Sequence, residues 1–91
     1  MNILVTGGLG LIGHNVVKRL QDAGHLVSIM DTKTNYGIIP QAEVDYLMAE
    51  RRKKIADDSY IYDRDISDAQ AVDHVFNVEQ PEIVIHMASF P

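Results

Sequence analysis

Four glycines lie close together near the start of the chain, at positions 7, 8, 10 and 13. They follow an apolar run, residues 3–5, which is typical of a strand buried on both faces of a parallel sheet and which Thr6 ends. Glycine permits positive φ and leaves room for a pyrophosphate beside the backbone, and a helix that begins after Gly10 offers unpaired N–H groups to an anion. The pattern therefore predicts a strand-to-helix turn that binds phosphate without a basic side chain.

Two glycine motifs overlap in this turn. Residues 8–13 fit G-x-G-x-x-G, which is typical of dinucleotide-binding folds but frequent by chance, and residues 6–13 fit the sharper pattern T-G-x-x-G-x-x-G. A P-loop is excluded, because His14 and Asn15 stand where a phosphate-binding lysine and a magnesium-binding hydroxyl are needed. The alternative is a glycine-rich turn with no ligand, and the strand before the turn and the helix after it weigh against that alternative.

The elements after the turn place an acidic residue at a spacing typical of dinucleotide sites. Apolar residues at helical spacing predict a first helix that Gly24 ends. These apolar residues are Leu11, Ile12, Val16, Leu20 and Ala23. Residues 26–30 predict a second buried strand, which ends on Asp31. Asp31 lies 18 residues beyond Gly13, close to the ~20 at which such folds place a carboxylate for the adenosine ribose hydroxyls.

At this point the chain resembles the extended branch of the short-chain dehydrogenase/reductase superfamily, whose members carry T-G-x-x-G-x-x-G in this position. The single-domain branch would have glycine at position 11, where this chain has Leu11. The resemblance implies an NAD-dependent nucleotide-sugar epimerase, dehydratase or decarboxylase, in which hydride passes between a sugar carbon and the nicotinamide. A nucleotide sugar is then the expected substrate, and we expect the intact protein to be a homodimer.

The resemblance extends to residues after the other strands. Asp65 and Ile66 match the acidic-aliphatic pair with which extended members contact the adenine, and residues 86–89 match His-x-Ala-Ala except that Ser89 replaces the last alanine. Residues 32–40 predict a loop where the adenine would lie. The predicted cofactor-binding residues are Gly7, Gly10, Leu11, Ile12, Gly13, Asp31, Asn35, Asp65, Ile66, Met87 and Ala88.

The remaining pattern completes an alternation of strands and helices. A second helix is predicted over residues 41–55, a third strand over 59–62, a third helix capped by Ser67 with Gln70, and a fourth strand over 82–88. Right-handed crossovers would wind this βαβαβαβ chain into a parallel sheet of order 3-2-1-4, the first half of a doubly wound α/β Rossmann-type fold. All predicted site residues then fall at the carboxyl ends of strands.

Charged and titratable residues elsewhere are interpreted as structural. The run from Arg51 to Lys54 is expected to be a solvated helix end, and His14 and His25 are expected to face solvent rather than bind a ligand. His86 is expected to be held by a structural partner. A calcium loop that starts at Asp63 fails, because the required glycine and glutamate are absent, and no metal site is predicted.

Composition bounds the class of protein. The chain has 91 residues, 46% of them hydrophobic and 23% charged, which is typical of one small globular domain. A net charge of −5 weighs against nucleic acid or an anionic membrane as partner. The absence of cysteine excludes disulfides and thiol catalysis and fits a reducing compartment, and no segment is typical of a signal peptide or a membrane span. A cytoplasmic protein is the default expectation.

The catalytic part of the family pattern is missing from these residues. Extended members use a Tyr-x-x-x-Lys pair, and none of the four tyrosines is followed four positions later by lysine. We therefore expect residues 1–91 to be the N-terminal part of a dinucleotide-binding domain, with the catalytic and substrate-binding parts elsewhere. Two alternatives stay open at this point, a non-catalytic module that senses a dinucleotide and a fragment that binds nothing.

Overall fold

A computed structural model describes residues 1–32, 39–56 and 59–88 of the chain. Four strands alternate with three helices over these residues. They are β1 (Asn2–Thr6), α1 (Gly13–Asp22), β2 (Leu26–Met30), α2 (Gln41–Lys54), β3 (Tyr60–Tyr62), α3 (Ala69–Glu79) and β4 (Ile83–His86). Asn35 and Ser89 lie outside the described residues, so the structure does not bear on their predicted roles.

The four strands form one parallel sheet of order β3-β2-β1-β4, which confirms the predicted α/β fold and strand order. The register aligns the last residues of the strands. Thr6 pairs with Met30 on one side and with His86 on the other, and Met30 pairs with Tyr62. The residues that follow all four strands therefore lie along one edge of the sheet.

Side chains alternate between the two faces of β1, and each face has its own apolar core. Ile3 and Val5 belong to a cluster that also contains Val17 of α1, whereas Leu4 belongs to a cluster with Val75 of α3. Because period-two alternation sends neighbouring residues to opposite faces, helices on both sides are needed to bury this strand. The sheet is thus covered by α1 on one face and by α3 on the other.

Two predictions about the helices are wrong in detail. The apolar spacing places Leu11 and Ile12 in the first helix, but α1 begins at Gly13 and both residues precede it, with side chains exposed by 69% and 65%. The third helix is capped by Asp68 rather than by Ser67, since the Asp68 carboxylate accepts the N–H groups of Gln70 and Ala71. The bond from Ala71, followed by the bond from Arg64 and then the bond from Gln70, holds the pKa of Asp68 below its usual range.

Candidate dinucleotide-binding site

The candidate site lies on the edge of the sheet where the strands end. Gly7, Asp31 and Met87 are the first residues after β1, β2 and β4, and each donates its backbone N–H to the last residue of the neighbouring strand. These bonds run from Gly7 to Met30, from Asp31 to Tyr62 and from Met87 to Thr6, at 2.8–3.0 Å. The structure therefore brings three of the predicted site residues to one edge in a fixed register.

Three of the four glycines in the turn are required by the packing of the turn itself. Gly7 has a φ of +69°, and a Cβ there would lie 2.8 Å from the backbone nitrogen of Ala88. A Cβ on Gly8 would lie 2.7 Å from a side-chain carbon of Ile29, and a Cβ on Gly13 would collide with the carbonyl oxygen of Gly7. The sequence led us to expect positive φ more generally in this turn, and that is wrong, because only Gly7 among these glycines has it.

Gly10 and the two residues after it form the open part of the turn. A Cβ on Gly10 would meet the Gly7 carbonyl oxygen at 3.2 Å and, among the residues that the structure describes, no other atom within 4 Å beyond those of its chain neighbours. The backbone N–H groups of Leu11 and Ile12 have no hydrogen-bond partner within the described residues. Unpaired amides at a helix start, beside a glycine that has no Cβ to obstruct an anion, fit a pyrophosphate. The residues present are therefore suited to the dinucleotide that the motif predicts.

Asp31 is joined directly to the glycine turn. Its Oδ2 accepts the backbone N–H of Leu9 at 3.0 Å, while the carbonyl of the same Leu9 accepts from Nη1 of Arg51 at 2.9 Å. The Leu9 side chain is buried in the core. Three separate contacts thus fix Leu9, and they place the Asp31 carboxylate beside the turn that precedes α1.

Arg51 corrects the interpretation of the charged run as a solvated helix end. Lys53 does form the expected exposed pair with Glu50, at 3.0 Å, but the half-buried Arg51 reaches the turn 42 residues earlier in the chain. The sequence carried one signal for this difference. Arg51 lies seven residues after the buried Val44, on the helix face that packs inward, whereas Lys53 does not.

Thr6 connects the end of β1 to the end of β4. Its Oγ1 accepts the N–H groups of Met87 at 3.1 Å and of Ala88 at 3.3 Å, and lies 2.6 Å from Nδ1 of His86. A hydroxyl has two lone pairs and one hydrogen, so with both lone pairs engaged the hydrogen is left for the imidazole. His86 therefore accepts at Nδ1, which agrees with the expectation of a structural partner, and Thr6 places Met87 and Ala88 beside Gly7.

Asp65 and Ile66 follow β3 at the same edge, farther along the sheet. The Asp65 carboxylate accepts the N–H of Ser67 at 2.9 Å and is exposed, whereas the Ile66 side chain packs partly into the core beneath α3. No hydrogen bond joins this pair to the glycine turn within the described residues. Their predicted contact with adenine stays a prediction.

His14 is the residue for which the sequence was most misleading. It was expected to face solvent, but it is 3% exposed, and its Nδ1 donates to the Gly10 carbonyl at 2.8 Å. His25 is half-buried and bonds the N-terminal amine through Nδ1 at 3.1 Å. Spacing held a clue for His14, since it lies four residues after Gly10 and three before the buried Val17, on the inner face of α1.

Metal and membrane sites were searched over the part of the chain that the structure describes. No group of three acidic, histidine or cysteine side chains lies close enough there to hold a metal ion. Among the same residues, no helix has the length and apolar character needed to cross a membrane.

Comparison with known families agrees with this geometry. A model of the NAD dependent epimerase/dehydratase family matches residues 3–91, which is almost the whole chain. This chain belongs to the NAD-dependent epimerase/dehydratase family. The resemblance inferred from the glycine motif is thereby confirmed, and so is NAD as the cofactor of the family.

Individual members of the epimerase/dehydratase family support the assignment. The UDP-glucose 4-epimerase of Bacillus subtilis is 37% identical over 88 residues, covering 97% of this chain and 24% of that protein. The dTDP-glucose 4,6-dehydratase 1 of Escherichia coli is 34% identical, covering 98% and 23%. A crystal structure of the UDP-glucose-4-epimerase of Stenotrophomonas maltophila, with bound NAD and formylated UDP-arabinopyranose, matches with a TM-score of 0.74 at 25% identity, covering 100% and 25%. The chain thus spans about a quarter of the length of the relatives it matches.

Proposed function

We propose that this chain forms the NAD-binding part of an epimerase or dehydratase that acts on a nucleotide sugar. The observation that supports the proposal is the bond from Leu9 N–H to Asp31 Oδ2, because it joins an acidic acceptor to the same glycine turn that carries the unpaired amides. A dinucleotide needs both features in one site, anion-binding amides for the pyrophosphate and an acceptor for the ribose. NAD would supply the acceptor for a hydride from a sugar carbon.

Each predicted site residue has one part in this proposal. The amides of Leu11 and Ile12 bind the pyrophosphate, with Gly7, Gly10 and Gly13 allowing the turn to approach it, and Asp31 accepts from the ribose. Asp65 and Ile66 border the adenine. Met87 and Ala88 line the crevice where the strand order reverses between β1 and β4. Ligands of doubly wound sheets bind at that point of reversal.

The proton-transfer groups are proposed to come from the rest of the enzyme. None of the four tyrosines in the chain has a lysine four residues later, and relatives of the family are about four times as long. Both an epimerase and a dehydratase match at nearly the same identity. We therefore propose the nucleotide sugar as substrate class without choosing between the two reactions.

The test is a pair of measurements on the intact protein. Calorimetric titration with NAD is expected to show binding, and incubation with UDP- and dTDP-hexoses is expected to convert at least one of them. The 91-residue chain alone is expected to show no conversion. An intact protein that binds no NAD would overturn the proposal.

Location and assembly complete the proposal. A cytoplasmic protein is consistent with a chain of 91 residues that contains no cysteine, and the net charge of −5 disfavours nucleic acid and anionic membranes as partners. The intact enzyme is proposed to be a homodimer. Sedimentation of the purified enzyme measures this directly, and a monomer at all concentrations would contradict it.

A further inference from the structure

His14 makes an unusual contact at the start of α1. Its ring is 3% exposed, and Nδ1 donates to the Gly10 carbonyl oxygen at 2.8 Å, while the His14 backbone N–H donates to the same oxygen at 3.1 Å. Nε2 is buried with no partner in the described part of the chain. The bond to Gly10 is therefore the one polar contact that the ring makes among these residues.

The orientation of the Gly10 carbonyl fixes the orientation of the Leu11 N–H. The peptide unit between Gly10 and Leu11 is planar, and all peptide bonds in the described residues are trans. In a trans peptide the C=O and the N–H point in opposite directions. Because two donors of His14 hold the Gly10 carbonyl on the helix side, the Leu11 N–H is turned away from the helix, toward the open side of the turn.

We propose that His14 is a positioning residue for the dinucleotide, which holds the Gly10–Leu11 peptide so that the Leu11 amide faces the pyrophosphate. The inference rests on the proposed function, since it concerns the same turn. A carbonyl held by the backbone alone is free to tilt at a helix end, where bonds are often shared or frayed. The second donor, Nδ1 of the His14 ring, restricts the tilt of the Gly10 carbonyl before the ligand binds. Less conformational entropy is then lost when the dinucleotide binds.

Asn15 makes the same kind of side-chain bond to the next peptide unit. Its Nδ2 donates to the Leu11 carbonyl at 3.1 Å, again four residues back, and the Ile12 N–H belongs to that same peptide unit. Asn15 is exposed, so water competes for its bond, whereas the ring of His14 is shielded. The same chain therefore shows that an asparagine can make this contact, and that fact supplies a conservative variant.

The test compares two variants of His14 in the intact protein. His14→Phe keeps a ring of similar size without a donor, and the dissociation constant for NAD is expected to rise about three- to tenfold, as for loss of one hydrogen bond. His14→Asn restores a donor and is expected to bind NAD within about twofold of the wild type. His74→Phe, on the exposed face of α3, is the matched control and is expected to leave NAD affinity unchanged.

Stability gives a readout that separates positioning from a general structural role. His14→Phe removes the unpartnered Nε2, and the Gly10 carbonyl keeps the backbone N–H as donor, so the melting temperature is expected to stay equal or to rise. Weaker NAD binding by a protein that is no less stable identifies positioning. Equal NAD affinity in His14→Phe and the wild type would overturn it.

A measurement without cofactor keeps the inference independent of the proposed function. In nitrogen NMR of the wild-type protein, Nδ1 of His14 is expected to carry the proton, because it donates to a carbonyl. An unprotonated Nδ1 would overturn the inference even if no variant folded. A wild-type protein that binds no NAD would overturn the proposed function as well, whereas NAD binding with unchanged affinity in His14→Phe would overturn this inference alone.

Discussion

The backbone N–H of Leu9 donates to Oδ2 of Asp31 across 3.0 Å, and 22 residues separate them in the chain. Asp31, which the spacing predicts to bind the ribose, therefore also holds the glycine turn in place through a hydrogen bond. Its carboxylate has two oxygens and about four lone-pair positions, of which the bond to Leu9 occupies one. The two roles are separable by substitution.

We predict that the intact protein prefers NAD to NADP and that Asp31 is the cause. Hydrogen bonds to a charged group are worth about 1.5–3 kcal/mol, or roughly ten- to a hundredfold in affinity, and a 2′-phosphate would bring like charge to the carboxylate. Asp31→Asn keeps an oxygen for Leu9 and removes the charge. The ratio of the two dissociation constants is expected to fall in this variant with little change in melting temperature.

Asp31→Ser is the companion variant. Serine is too short to reach Leu9 as asparagine does, so this variant should lose the hydrogen bond to the Leu9 N–H as well as the charge. The melting temperature of Asp31→Ser is therefore expected to fall below that of Asp31→Asn. Equal affinities of the wild type for the two cofactors would show that Asp31 does not face the ribose.

Arg51 and Lys53 offer a matched pair in one helix. Arg51→Met removes the bond to the Leu9 carbonyl from a half-buried position, and we expect the free energy of unfolding to drop by about 1 kcal/mol. Lys53→Met removes an exposed ion pair, for which a loss below about 0.5 kcal/mol is expected. Urea denaturation measures both. Indistinguishable midpoints for the two variants would mean that the Arg51 contact contributes nothing.

The glycines of the turn should separate folding from binding. Gly10→Val adds bulk where, among the described residues, the Gly7 carbonyl is the one near neighbour, so NAD affinity is expected to be lost while the fold persists. Gly8→Ala presses a Cβ against Ile29 in the core, and overpacking of this kind costs about 1–3 kcal/mol. Thermal melts and NAD titrations on both variants test this, and a Gly10→Val protein with normal NAD affinity would remove the turn from the site.

Tyr62 is expected to make the free energy of unfolding depend on pH in the alkaline range. Burial and the bond from its hydroxyl to Glu79, at 2.7 Å, raise the pKa of Tyr62 from 10.0 to about 12. Because the folded value lies above the unfolded one, this contribution to stability is complete below pH 10.0 and is lost as the pH rises toward about 12. Urea denaturation at a series of pH values over that range should show the free energy of unfolding falling more steeply with pH for the wild type than for Tyr62→Phe. Parallel curves would contradict the assignment.

The strands and the site spacing were readable from local patterns. Residues 26–30 form a strand with the predicted bounds, and Asp31 follows it at the edge where the glycine turn lies. Apolar runs and glycine spacing are properties of short segments, so they can be recognised in the sequence without knowledge of the fold. Predicted strand β3 differs by one residue at its start, which is within the usual uncertainty of such ends.

Contacts between distant segments were not readable in this way. Arg51 and Leu9 are 42 residues apart, and although the spacing from Val44 puts Arg51 on the inward face of α2, nothing near either residue indicates that Arg51 bonds to Leu9. The cap of α3 failed for a different reason. Ser67 and Asp68 are both good capping residues, and the backbone of Asp68, extended at φ −89° and ψ 104°, decides between them.

The position of β1 at the middle of the sheet has a consequence for the order of synthesis. Its neighbours are β2, which ends at Met30, and β4, which ends at His86. A ribosome that adds about 5–20 residues per second needs roughly 3–11 seconds for the 56 residues between those two ends. During that interval one edge of β1 has no partner strand, so the nascent chain exposes backbone N–H and C=O groups that can pair with another chain until β4 is made.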